Sequence, residues 1–330
     1  MAHSVLDAPH FVNEEAAFAF VEARLWPNGP VCPFCKGTAR IGRLQGKTTR
    51  PGLYKCYPCK KPFTVRMGTI FESSHLPLHL WLQIVHLMCA SKKGIATRQI
   101  QRMLQCSMKT AWFLGHRIRE AMTDAPGTPN LGGMGMTVEA DETYFGTIPK
   151  EEIMPRAPGK FASGRKAGIR RPAHRAVLAL VERGGKARTF HVAQADQNTV
   201  SKIMRENVAK QTSINTDESK IYNIVPWRFA EHATVKHSAN EYVRYPEGKP
   251  IVTTNTVEGY FSVFKRGMIG VYQHCGEQHL HRYLAEFDFR YNNRIKLGVD
   301  DTTRAKNAIK GARGKRLTYQ TTRSRKTAHA

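Results

Sequence analysis

Apolar positions recur at helical spacing in some stretches of the chain and alternate in others, and the changes of period mark out its elements. Within residues 13–26, Phe18, Val21 and Leu25 share one helical face, Asn13 stands at a capping position, and Pro27 closes the segment. Over residues 76–122 the spacing is helical. Leu78, Trp81, Leu82, Val85, Leu87 and Met88 give one helix, ended near Gly94. Thr97 and Ser107 then read as caps of a short and a longer helix on either side of a break at residues 105–107. After a Pro- and Gly-rich linker at 125–135, strand signals take over. One strand runs around Asp141, a hairpin folds at Gly184-Gly185, a helix begins at Asn198, a strand ends at Asp217, and a short strand covers 233–238. Residues 253–266 form a two-faced helix. Val257, Tyr260, Phe261, Phe264 and Met268 make its apolar stripe; Asn255, Glu258, Ser262 and Lys265 fall on the polar side. Tyr283, Leu284, Phe287 and Tyr291 mark a last long helix, with Arg282, Arg290 and Arg294 expected on its exposed side.

This order predicts a mixed α/β chain. Three antiparallel strands, a helix, a parallel strand, a further strand and a closing helix form the sequence of a ribonuclease H-like domain. In such a sheet the first and fourth strands are neighbours, which would place Asp141 beside Asp217 with the Glu258 helix on the same edge. The expected domains are an N-terminal helix and cysteine-containing ribbon at 1–70, a helix-turn-helix-like region at 71–124, the linker 125–135, the α/β domain 136–300 with a basic insertion at 150–175, and a basic, disordered tail at 301–330.

Charge narrows the choice of partner. The 51 Lys and Arg against 26 Asp and Glu leave a formal charge of +25 over 330 residues, a balance that suits a polyanion such as DNA. No apolar run approaches the ~20 residues of a membrane span, and the first residues lack the pattern of a signal peptide, so a cytoplasmic, nucleoid-associated location is expected.

Cysteine spacing narrows the chemistry. Cys32 and Cys35, then Cys56 and Cys59 after 20 intervening residues, are two CxxC knuckles with the spacing of a four-thiolate zinc ribbon. Four cysteines leave the ion no open position, so this Zn2+ reads as structural. Basic residues interleaved with Tyr54, Tyr57 and Phe63 make the ribbon a surface for DNA phosphates. In the helix-turn-helix region the second helix would offer Lys109, Thr110 and His116 or Arg117 to a groove.

Asp141, Asp217 and Glu258 form the candidate catalytic set. Phosphodiester cleavage needs an activated nucleophile, neutralised non-bridging oxygens and a stabilised leaving oxygen, which two Mg2+ (or Mn2+) ions held by converging carboxylates can supply. Each carboxylate alone has another reading. Asp217 can cap the turn at Glu218-Ser219, and Asp141 has rivals in Glu139 and Glu142.

The blocks A-D-E-T-Y-F-G, N-T-D-E-S-K-I-Y, K-H-S-A-N-E-Y-V-R, T-N-T-V-E-G-Y-F-S-V-F-K-R-G and H-R-Y-L-A-E-F-D-F-R-Y-N-N-R resemble, in order, those of DDE transposases of bacterial insertion sequences. The branch is the one with an N-terminal zinc ribbon, the insertion-sequence family numbered fifteen ninety-five, and the resemblance covers roughly residues 15 to 296. It implies binding to the inverted-repeat ends of an element, metal-dependent strand cleavage and strand transfer. By position it assigns Asp141 and Asp217 to the first two acidic places. The third place is Asn or Glu in this branch, followed by Lys. Glu258 and Lys265 match the general spacing, with Asn255 as an alternative or second ligand. His237 matches a family His of unassigned role, a satisfied core histidine being the plainer reading. Bringing two ends together implies a homo-oligomer on DNA. The rival functions are a DNA-binding regulator descended from such an enzyme, and a nuclease that cuts without joining.

Overall fold

A computed structural model describes residues 3–146, 175–223, 225, 228–248 and 250–318. The basic insertion, apart from Arg175, and the end of the tail lie outside the described residues. The chain divides into two compact units, Met1–Ala125 with Asn293–Ala330, and Pro126–Asn292.

In the first unit, short α1 (Pro9–Val12) leads into α2 (Glu14–Leu25), which Asn13 caps by accepting the amide of Ala16 at 2.9 Å. The ribbon follows as an antiparallel sheet of β1 (Ile41–Arg43), β2 (Tyr54–Cys56) and β3 (Pro62–Phe63). Helices α3 (Leu78–Ala90), α4 (Thr97–Leu104) and α5 (Met108–Ala121) complete the run. Pro77 precedes α3 and offers no side-chain acceptor. Glu14 of α2 caps it instead, taking the amides of Leu78 at 2.8 Å and His79 at 3.1 Å. Ser107 caps α5 through the amide of Thr110, whereas Thr97 is already the first helical residue of α4 and Ala96 holds the cap position.

The second unit holds a five-stranded sheet. Its strands are β4 (Thr137–Phe145), β5 (Arg175–Glu182), β6 (Ala187–Val192), β7 (Ser213–Asp217) and β8 (Glu231–Val235), in the order β6-β5-β4-β7-β8. β4, β5 and β6 are antiparallel neighbours, while β7 runs parallel to both β4 and β8. First and fourth strands therefore pair, with Glu139 opposite Asn215. Helix α6 (Gln197–Asn207) covers one face, packing Val200 and Met204 on Val138, Ala140, Leu178 and Leu180. A small hairpin, β9 (Val243–Arg244) with β10 (Val252–Thr253), delivers the chain to α7 (Asn255–Gly267). Helix α7 and α8 (Glu277–Asn292) cover the other face, where Val257, Tyr260, Phe261, Phe264, Leu284 and Phe287 pack on Val177, Ala179 and Val181.

Three expectations are corrected. All of the expected linker but Ala125 belongs to the second unit. Leu131 bridges in parallel to Val208, and Gly132 lies at φ +77°, where a Cβ would come 2.3 Å from the Thr212 hydroxyl. Arg290 is not on an exposed side. It is buried in an ion pair with Glu286, one helical turn earlier. Residues 301–310 are not a disordered tail; they form α9 (Asp301–Lys310), capped by Asp300 and packed on α3. Arg304 is buried and donates to the carbonyls of Cys89 and Asn293, each at 2.7 Å. Ala305, Ala308 and Ile309 are buried beside it. The basic composition hides this three-and-four spacing of small and apolar residues. At the end of α9, Gly311 approaches the carbonyl of Ala121 so closely that a Cβ would stand 2.2 Å away.

Candidate active site and zinc centre

Strand alternation decides which acids of β4 reach the α7 face. Asp141 pairs with Ala179 and Glu139 with Val181, both of which lie in the core under α7 and α8. Glu142 points to the other face, where it accepts the Tyr222 hydroxyl at 2.7 Å. Glu139 is fully buried and spoken for. It accepts both guanidinium donors of Arg183 at 2.8 and 3.1 Å, the amide and hydroxyl of Thr256 at 2.7 and 2.8 Å, and the amide of Val257 at 3.0 Å. It thus caps α7 from the neighbouring strand and has no lone pair left for a ligand.

Asp141 lies two residues beyond Glu139, and Asp217 two residues beyond Asn215, so both project from neighbouring parallel strands on the α7 face. Glu258, in the first turn of α7, adds its charge to the same place. Burial, then the carboxylates of Glu142 and Asp217, push Asp141 up to about 7, and Glu258 contributes in the same direction. Glu142 is also raised, chiefly by burial, with Asp217 adding to it.

Each of the three carboxylates is oriented by one local hydrogen bond through one oxygen. Asp141 Oδ1 accepts the amide of Glu142 at 2.8 Å, Asp217 Oδ1 the amide of Ser219 at 3.0 Å, and Glu258 Oε1 the hydroxyl of Thr254 at 2.8 Å. The capping reading of Asp217 is therefore also realised, at the cost of one oxygen only. The second oxygen of each carboxylate makes no hydrogen bond among the described residues. The set is hard, anionic and mutually repulsive, which fits divalent cations with a preference for oxygen. The carboxylates are spread more widely than a single ion's shell. Among the described residues, only the four cysteines form a group of three or more metal-ligating side chains within 4.8 Å of one another.

His237 is not a core histidine. It is partly exposed, with Nε2 3.7 Å from Glu258 Oε1 and 3.5 Å from the Thr254 hydroxyl, and its ring centroid lies 5.4 Å from that of Tyr242. Only its place in the K-H-S block singled it out in the sequence. Asn255 is the exposed first residue of α7, and Lys265 is exposed two turns beyond Glu258 on the same helix.

In the ribbon, two knuckles of like geometry bring four thiols together. Cys32 takes the amide of Lys36 on its carbonyl, Cys56 donates its amide to the Lys61 carbonyl, and Lys36 and Lys60, each just after a second cysteine, have φ of 59° and 58°. The sulfurs of Cys32 and Cys59 are 3.6 Å apart, as are those of Cys35 and Cys56. A disulfide needs about 2.05 Å, whereas a tetrahedron with metal–sulfur bonds of about 2.3 Å has edges near ~3.8 Å. The cluster supports a structural Zn2+ with no open position.

Residues 130–292 match the family model described as an ISXO2-like transposase domain, and residues 12–62 match that of a transposase zinc-ribbon domain. The chain belongs to the ISXO2-like transposase family. A Halobacterium salinarum protein, described as an uncharacterized protein in transposable element ISH50, is 27% identical over 285 residues, covering 85% of this chain and 91% of that one. In this transposase the first match falls on the second compact unit, and the second on α2 and the ribbon. Among the described residues no helix is long and apolar enough to cross a membrane.

The expectation that His116 or Arg117 reaches into a groove is corrected. Lys109 and Thr110 are exposed in the first turn of α5, but Arg117 is 4% exposed and cannot reach a groove as a base reader. It donates to the Glu72 carbonyl and sits over the rings of Trp81 and Phe113. His116 is likewise buried. Arg117 lies about two turns beyond Thr110 on the same side of α5, but there the rings of Trp81 and Phe113 cover it.

Proposed function

We propose that this transposase binds the inverted-repeat ends of an insertion sequence, cleaves DNA there and transfers the cut strand to a target. The observation that carries the reading is Asp141 beside Asp217 on neighbouring parallel strands, with Glu258 within electrostatic reach on α7. The sheet order and its flanking helices support a ribonuclease H-like core. Asp141, Asp217 and Glu258 would hold Mg2+ or Mn2+. When bound, a pair of such ions activates the attacking oxygen and neutralises charge on the phosphate and the leaving oxygen.

The chain's own part is preorganisation. Two strands fix the aspartates, Glu139 locks the start of α7, and Thr254 aims Glu258. Lys265 offers its ammonium to a DNA phosphate on the side of α7 that carries Glu258, and Asn255 is the nearby alternative ligand. We assign the DNA contacts of the first unit to the ribbon and to Lys109 and Thr110, in a cytoplasmic homo-oligomer assembled on DNA.

Strand transfer of a pre-cut, labelled element-end oligonucleotide into plasmid DNA with Mg2+ tests this. Joined product is expected from the intact chain and lost in Asp217→Ala and Glu258→Ala while DNA binding persists. Binding without nicking or joining would support the regulator, and nicking without joining the nuclease. Joining by Glu258→Ala but not by Asn255→Ala would reassign the third ligand.

A further inference from the structure

Arg117 is an unusual buried cation. Among the described residues its Nε has no hydrogen-bond partner, although the residue is only 4% exposed. The Glu72 carboxylate, which acts on Arg117 electrostatically, is already engaged: it accepts the amide of Gly68 at 2.7 Å and lies 3.3 Å from Arg316. Burial, then the charge of Arg66, hold the Arg117 guanidinium down to about 10; the Glu72 carboxylate opposes this and Arg316 adds to it. A guanidinium desolvated beside Arg66, with the neighbouring Glu72 carboxylate shared with Gly68 and Arg316, has its burial only partly offset.

Arg117 lines a cavity of about 320 Å3 together with Ser73, Ser74, Trp81, Lys109 and Thr110. Lys109 and Thr110 are the second and third residues of the 14-residue α5, so the positive end of its dipole opens there. The opposite rim is held by Arg66, which donates to the carbonyls of Phe71, Ser74 and Leu76 at 3.3, 2.7 and 2.9 Å. Trp81 Nε1 adds a bond to the Ser74 hydroxyl at 3.1 Å. The donors are thus set in place around a concave space that carries two cations, Lys109 and Arg117, on walls otherwise partly apolar (Leu76, Trp81, Phe113 and Leu114).

We propose that this cavity is a phosphate site, which seats one backbone phosphate of bound DNA on Arg117, Lys109 and the hydroxyls of Ser73 and Thr110. The proposal rests on the DNA-binding reading above and deepens it. Arg117 reads no base; it anchors the backbone and so fixes the register of α5 on the duplex.

The test is binding of the full zinc-loaded chain to a duplex of about 30 base pairs, followed by fluorescence polarisation from about 50 to 300 mM salt. Arg117→Gln and Lys109→Gln should each flatten the slope of log Kd against log salt by about 0.9, the value of one phosphate, and the double variant by no more. Arg117→Lys should restore most of the slope. Losses that add to about 1.8, or folded variants that keep the slope of the unsubstituted chain, overturn the shared site. Lys109 is exposed, so Lys109→Gln decides the matter if Arg117→Gln fails to fold. No DNA binding by the unsubstituted chain would instead sink the DNA-binding reading beneath it.

Discussion

Glu139 holds Thr256 by both its amide and its hydroxyl, at 2.7 and 2.8 Å, and through that grip a β-strand sets the position of the helix that carries Glu258. The same carboxylate is paired with Arg183. Removing one partner of a buried ion pair costs about 3–5 kcal/mol, with the lower end expected here because Arg183 is partly exposed. Glu139→Ala should therefore lower the melting temperature and depress strand transfer although Glu139 is no ligand. Glu139→Gln should recover part of both. An alanine variant that melts and joins DNA like the unsubstituted chain would contradict this positioning role.

Asp141, Glu142 and Asp217 repel one another in the metal-free protein. Asp217→Asn removes one charge and should raise the metal-free melting temperature by a few degrees, about 1 kcal/mol. The same change should erase the stabilisation that Mg2+ gives the unsubstituted chain. Calorimetry with and without Mg2+ checks both, and a full Mg2+ shift retained in Asp217→Asn would remove Asp217 from the ligand set.

One zinc per chain is expected by elemental analysis. A strong chelator, or Cys56→Ser, should release it and unfold the ribbon, whose core of Phe63, Trp26 and Tyr54 surrounds the cysteines. The melting transition of the first unit should fall steeply. A ribbon that keeps its near-ultraviolet circular dichroism after zinc removal would speak against a structural ion.

Arg304→Ala should cost about 1–3 kcal/mol, because the buried carbonyl of Cys89 and the partly buried one of Asn293 lose this donor. Ending the chain at residue 300 should destabilise the first unit further. Unchanged unfolding in urea would restore the disordered-tail expectation.

Acid should weaken the joint between α2 and α3. Burial raises the Glu14 carboxyl, but the amides of Leu78 and His79 and the His79 ring outweigh it and hold it below the usual glutamate value of 4.5. A depressed carboxyl contributes stability above that value, which is lost as pH falls through the folded value. Thermal unfolding between about pH 3 and 6 should show an acid limb that Glu14→Gln flattens; an unaltered limb would assign it elsewhere.

The elements were largely legible because periodicity is a local property. The alternation around Asp141, the stripe from Val257 to Met268 and the CxxC spacing each need only neighbours in the chain, and composition alone pointed to a polyanionic partner. Which of Glu139, Asp141 and Glu142 faces α7 was not legible. Glu139 and Asp141 share one side of the strand and Glu142 takes the other; only the packing of α7 says which side matters, and only the ring of donors around Glu139 says which of the two is spent. The same limit explains Arg117, Arg290 and Arg304. A sequence marks an arginine as charged and so as solvent-facing, while the tertiary structure buries it wherever carbonyls, a carboxylate or aromatic rings, from its own helix or from distant segments, take the place of water.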